Sequence, residues 1–201
     1  MSGMLGMALV AIAIAILPAG AWGQTCNTAG RSVLLILDAS GSMNAKLPNG
    51  ETRIAVAQRA IKGVAGFIPA QAQLSLRMYG AQSAAQQKNC RDSNLAVPFG
   101  PARAAGSAIT TTVDGTKDQG YTPIAYSLGQ AANDFPADAK ERVIVLVSDG
   151  KETCQGDPVV AAKGLAGKGV TVHTDVDHRI DSPNGTSSIF RYPLTLRRAE
   201  N

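Results

Sequence analysis

The chain has 201 residues, of which 45% are apolar, 17% charged and 4% aromatic; this is material for one α/β domain and excludes a fibrous or disordered polyelectrolyte. Its net charge of +4 comes from basic residues that are scattered and not interleaved with aromatics, which describes solubility and not a nucleic-acid footprint.

In chain order, residues 1–23 carry no side-chain charge, and an apolar stretch from Met4 to Leu17 stops at Pro18. A membrane span needs ~20 apolar residues, and small residues follow here at Ala19, Gly20, Ala21 and Gly23. A secretory signal cut after Ala21 or Gly23 is therefore predicted, with export to a periplasmic or extracellular location. Because no basic residue precedes the stretch, an uncleaved anchor is the alternative. Cys26 follows Trp22-Gly23-Gln24-Thr25, which lacks the small residues that lipid attachment prefers.

The first strand is predicted at Val33–Leu37, a continuous aliphatic run typical of a buried parallel strand, and it ends directly at Asp38-Ala39-Ser40-Gly41-Ser42. A helix follows with Ile54, Ala57, Ile61, Val64, Ala65 and Ile68 on one face, stopped by Pro69. Gln73–Tyr79 alternates around Leu74, Leu76 and Met78 as a second strand, and Leu95–Val97 reads as a short edge strand. Pro101 opens an alanine-rich helix through Ala102, Ala105 and Ile109. Thr122-Pro123 has the grammar of a helix start before Ile124, Leu128, Ala131 and Phe135. A second buried strand, Val143–Val147, runs into Ser148-Asp149-Gly150. Asp157 is read as an N-cap ahead of Pro158 and a face of Val159, Ala162, Leu165 and Ala166, followed by a last strand over Gly169–Thr174.

This alternation predicts a doubly wound, mostly parallel sheet flanked by helices, with any ligand site outside the carboxyl ends of the strands. Cys90 and Cys154 both fall in loops after apolar strands, on the same edge of that sheet, and are the preferred disulfide; spacing alone does not decide the pairing. Three dispersed cysteines and two histidines are too few for a zinc site.

Chemistry concentrates at the ends of the two buried strands. Oxygen side chains at Asp38, Ser40 and Ser42 can converge above the first strand, Gly41 allowing the tight turn, while Asp149 and Thr122 offer a carboxylate and a hydroxyl nearby. Hard oxygen donors with only two carboxylates suit Mg2+, which keeps waters, better than a Ca2+ cage of carboxylates.

Asp38-x-Ser40-x-Ser42, Thr122 in Gly120-Tyr121-Thr122-Pro123, and Ser148-Asp149-Gly150 together resemble the von Willebrand factor type A domain and its metal-ion-dependent adhesion site, over residues 30–174. Arg77-Met78-Tyr79-Gly80, Cys90, Pro98-Phe99-Gly100-Pro101 and Lys151-Glu152-Thr153-Cys154 further resemble exported bacterial members. The resemblance implies that Ser40 and Ser42 ligate the metal directly, that Thr122 is a direct or switchable ligand, and that Asp38 and Asp149 hold coordinated waters. It implies Mg2+, with Mn2+ or Ca2+ as alternatives, and a protein partner that completes the coordination with Asp or Glu. Lys151 and Glu152, beside the metal loop, are candidates for tuning partner choice.

The expected function is thus a non-enzymatic, metal-dependent protein-binding module. Two alternatives stand beside it: a serine hydrolase built from Ser40 or Ser42 with Asp149 and His173, and a metal that merely pins the loops together. The hydrolase lacks a Gly-x-Ser-x-Gly elbow, and His173 sits inside an apolar strand pattern. No phosphate-loop, dinucleotide or His-Glu-x-x-His motif occurs. From Asp175 to Asn201 the pattern stops, whereas the family continues into a further strand and helix. Truncation, divergence or a shifted reading frame each account for such a tail, and its abruptness favours the frame shift.

Overall fold

A computed structural model describes residues 30–176; the predicted signal or anchor at 1–23, Cys26 and residues 177–201 lie outside that range. Five strands form one sheet: β1 (Arg31–Asp38), β2 (Gln73–Tyr79), β3 (Ser93–Pro101), β4 (Glu141–Ser148) and β5 (Val170–Val176). Their order is β3-β2-β1-β4-β5, with β1, β2, β4 and β5 parallel and β3 antiparallel to β2. The helices are α1 (Arg53–Phe67), α2 (Ala102–Asp114), α3 (Ile124–Ala131) and α4 (Pro158–Gly167).

The period-2 geometry of β1 divides the core in two, because successive side chains leave a strand on opposite faces. Val33, Leu35 and Leu37 pack with Ile54, Ile61, Ala105 and Ile109 of α1 and α2. Leu34 and Ile36 pack on the other face with Ile124, Leu128 and Leu165 of α3 and α4. Every one of those five β1 side chains is buried, which is why the strand reads as an unbroken aliphatic run. Since β2 and β4 flank β1 on either side, the crevice at its carboxyl end is the switch point of the sheet.

The structure corrects several predicted details. The edge strand is nine residues long, and its antiparallel pairing with two register shifts accommodates Pro98 and Pro101, which only an edge position tolerates. The third helix stops at Ala131, four residues short of Phe135. In α4, Val159 and Val160 are 53% and 63% exposed; the helix meets the sheet through Ala161, Ala162 and Leu165, so Val159 does not join the core. The last strand runs to Val176, two residues past its predicted end.

Candidate metal centre

Asp38 closes β1 on the face shared with α3 and α4 and is fully buried. Its Oδ1 accepts the Ser40 amide at 2.8 Å and its Oδ2 accepts the Ser148 hydroxyl at 2.7 Å. That hydroxyl in turn accepts from Tyr79 Oη at 3.1 Å and from the Gly150 amide at 3.2 Å. Beyond Ser40 the chain enters a short 3-10 turn, Gly41–Asn44, pinned from below by the buried side chain of Met43. The turn places Ser40 Oγ and Ser42 Oγ 3.0 Å apart, and Ser42 donates to Asp149 Oδ1 at 3.0 Å. Four of the five predicted site residues therefore lie in one hydrogen-bonded chain, whose Ser42–Asp149 link spans 107 residues of sequence.

Thr122, the fifth, is not joined to the other four by a side-chain bond; it lies two residues beyond the point where its loop is bonded to the Ser40 turn through the main chain. Ser40 and Gly120 form a parallel bridge, Gly41 N donates to Gly120 O at 2.9 Å, and Gln119 N donates to Ala39 O at 3.1 Å. Gly80, at the end of β2, completes the junction: its φ is +73°, and a Cβ there would stand 2.8 Å from both Ser40 N and Tyr121 O. Only glycine lets the three loops meet this closely.

The loop after β4 is fixed from two sides. Thr153 Oγ1 accepts the Thr122 amide at 2.8 Å, and the Cys90–Cys154 disulfide, with its Cα atoms 5.5 Å apart, ties it to the β2–β3 loop as predicted. Glu152 is not a free partner-tuning group. Its Oε2 accepts Ala125 N and its Oε1 accepts Cys154 N, each at 2.8 Å, so it caps the first turn of α3. Pro123 occupies the N-cap position of that helix without a side-chain bond, so the Thr122 hydroxyl is not needed as the cap. Lys151 is exposed.

One group escaped the sequence reading. Arg53, the first residue of α1, donates from Nη1 to Asp149 Oδ2 at 2.6 Å. A contact over 96 residues leaves no local pattern to find.

The donor set can be tested against a divalent cation. In an Mg2+ octahedron with Mg–O distances of ~2.1 Å, adjacent oxygens stand about 3.0 Å apart. The Ser40–Ser42 and Ser42–Asp149 oxygen pairs have that separation. Among the described residues no cluster of three or more His, Cys, Asp or Glu side chains exists, so the chemistry here is hydroxyls plus two carboxylates, a hard-cation set. The hydrolase triad is not assembled. His173 is exposed in mid-β5, opposite Val145, itself opposite Leu35, whereas Ser40 lies five positions further along. That is about 10 Å across two strand spacings and a further ~16 Å along them.

Burial raises the Asp38 carboxyl above its ordinary value, against hydrogen bonds from Ser40, Ser148 and Tyr79 that lower it. Burial, together with the Asp38 charge, also holds the Tyr79 phenol well above its usual range, so it remains a donor. Because folded Asp38 binds its proton more tightly than the unfolded chain does, the metal-free fold loses stability as pH rises from the unfolded carboxylate range through the raised folded value. Asp38→Asn keeps the shape without the buried charge. It removes this titration, so the change in stability of the metal-stripped protein between acid and neutral pH is expected to shrink, as thermal melts at the two pH values would register.

YwmD, an uncharacterized protein of Bacillus subtilis (strain 168), is 31% identical over 173 residues, 84% of this chain and 74% of YwmD. YwmC of the same organism is 32% identical over 154 residues, 75% of this chain and 67% of YwmC. No family model matches the chain. Among solved structures, a von Willebrand factor type A protein from Catenulispora acidiphila superimposes with a TM-score of 0.59 at 19% identity, covering 73% of this chain and 33% of that one. BatB from Bacteroides thetaiotaomicron gives 0.57 at 22% identity, with 72% and 65% covered. The pilus adhesin SpaC from Lactobacillus rhamnosus GG gives 0.58 at 17% identity, with 76% and 26% covered, so this chain spans about a quarter of the adhesin. At these identities the likeness is one of fold: a mostly parallel α/β sheet of the type A kind.

Proposed function

Because this chain belongs to the family of YwmD and YwmC and has the fold of a von Willebrand factor type A domain, we propose that it is an exported protein-interaction module working through a divalent cation. The observation that supports this reading is the pair of hydroxyls at ligand-edge separation, Ser40 Oγ and Ser42 Oγ, with the Asp149 and Asp38 carboxylates hydrogen-bonded to the same turn at the switch point of the sheet. Ser40, Ser42 and Thr122 would hold the ion directly, and Asp38 and Asp149 would hold its waters. Mg2+ fits first, with Mn2+ or Ca2+ as alternatives. When bound, the ion supplies an electron-poor coordination position that an Asp or Glu of a partner protein completes.

Among the exposed side chains of the surrounding loops the charge is mostly basic, with Asp157 the acidic exception and Glu51, Asp92, Asp118, Asp149 and Glu152 more deeply placed, which supports an acidic partner. Lys46, Lys88, Arg91, Lys117 and Lys151 are all exposed on the four loops at this end of the sheet. The occurrence of the fold in a pilus adhesin supports an interaction role, and the disulfide supports an oxidising compartment. Among the described residues no helix is long and apolar enough to cross a membrane.

Isothermal titration of Mg2+ and Mn2+ into the metal-stripped protein tests the proposal. Saturable one-site binding is expected, lost in Asp38→Ala and Ser42→Ala while circular dichroism stays native. A folded parent that binds neither ion would overturn it. Binding whose loss in Ser42→Ala lowers thermal stability without affecting capture of an acidic partner would make the ion a structural pin.

A further inference from the structure

Arg53 occupies a position that a metal-binding loop does not obviously need. Thr52 caps α1, with its hydroxyl accepting from Ala55 N at 3.3 Å, and the Arg53 amide donates to Ala45 O at 3.0 Å, fastening the helix start to the Ser42 turn. The guanidinium then reaches Asp149 Oδ2, while the other oxygen of that carboxylate faces the Ser42 hydroxyl. The pair is shielded, with side chains 18% and 5% exposed. Resting on the metal reading above, we propose that Arg53 is a specificity-determining residue: a built-in monovalent cation that weakens metal binding and makes the loaded site demand one anionic ligand.

The argument is a charge count. Asp38, Asp149 and Arg53 are the charged side chains bonded into the oxygen chain, with a net charge of −1, the Tyr79 phenol beside Ser148 being neutral. A divalent cation brings the site to +1, which one incoming carboxylate neutralises. Without Arg53 the loaded site would already be neutral, and a partner's Asp or Glu would find less attraction. The guanidinium also draws electron density from the carboxylate that faces the metal position, reducing its strength toward the ion. Metal and acidic partner are thereby coupled: each is bound better in the presence of the other, as linkage requires.

Two roles for Arg53 predict opposite signs. If it only orients Asp149, its removal loosens the carboxylate and weakens Mg2+ binding. If it competes electrostatically, removal tightens binding. One and two unit charges about 6 Å apart at the dielectric of water correspond to roughly tenfold.

The test is titration of Mg2+ alone into the metal-stripped parent, Arg53→Gln, Arg53→Lys and Arg53→Met, the last retaining the alkyl stem should glutamine disturb the fold. Tightening of about tenfold in the Gln and Met variants, with Lys close to the parent, is the expected result. Repeating the titration with a capped Gly-Asp-Gly peptide should tighten Mg2+ binding in the parent and do so less in the neutral variants. Unchanged or weakened Mg2+ binding in folded Gln and Met variants would overturn the role of Arg53 while the metal site stands. A parent that binds no Mg2+ would overturn both.

Discussion

Arg77→Ala is expected to cost the domain about 3–5 kcal/mol, enough to remove a large part of its stability. Arg77 lies in the middle of β2 and projects to the α3 and α4 face, where its neighbours along the strand are Ser75 and Tyr79 and all three are buried. Its Nε and Nη2 form a bidentate pair with the two carboxylate oxygens of Asp134, each at 2.7 Å, and its Nη1 donates to Ser93 Oγ at 3.0 Å. One side chain thus joins the turn after α3, the central sheet and the edge strand. Both partners are less than a tenth exposed, so alanine at 77 leaves the Asp134 carboxylate buried with no countercharge. The cost comes from that orphaned charge and not from any large net worth of the pair, so Arg77→Met with Asp134→Leu should recover most of it. Urea denaturation followed by circular dichroism measures all three proteins. A loss under about 1 kcal/mol in the single variant would mean that water reaches Asp134 and the pair behaves as a surface bridge.

Cys90→Ser with Cys154→Ser is expected to cost about 4 kcal/mol through the entropy the unfolded chain regains when a bridge between residues 64 apart is opened. For a domain of this size that is a fall in Tm of about 10–15 °C, read from melts with and without reductant. The consequence reaches the site. The bridge ties the loop that carries Asp149, Glu152 and Thr153 to the one that descends from Gly80, and Gly80 and Gly120 are the contact on which the Ser40 and Thr122 loops rest. Reduction should therefore weaken Mg2+ binding as well as stability. Melting unchanged by reductant would mean that the hydrogen bonds of Thr122, Thr153 and Glu152 hold the loop unaided.

The same division runs between what could be read along the chain and what could not. Val33–Leu37 and Val143–Val147 are legible because a strand buried on both faces needs an aliphatic side chain at every position, and the short loops that follow must carry whatever the strand ends present. Thr52, Asp157 and Pro158 are legible because helix ends satisfy their amides with the nearest residues in sequence. Val159 shares the period of the core face yet is exposed, because periodicity gives the direction of a face but not how far the sheet extends beneath it. β3 extends beyond Leu95–Val97 through Pro98 and Pro101 because prolines are tolerated in a strand only at an edge, and only the assembled sheet says where its edge is.

By itself the sequence determined the order of strands and helices along the chain and the placing of Asp38, Ser40, Ser42 and Asp149 just after the two buried strands, since each rests on interactions within a few residues or on burial that every position of a strand must share, whereas the switch point at the end of β1 follows from the strand order. The tertiary structure alone decided that Arg53 faces Asp149, that Arg77 pairs with Asp134, that Ser148 and Tyr79 support Asp38, and that Glu152 caps α3. Those contacts join side chains from different crossovers of the sheet, where register and topology set the distance and sequence separation says nothing.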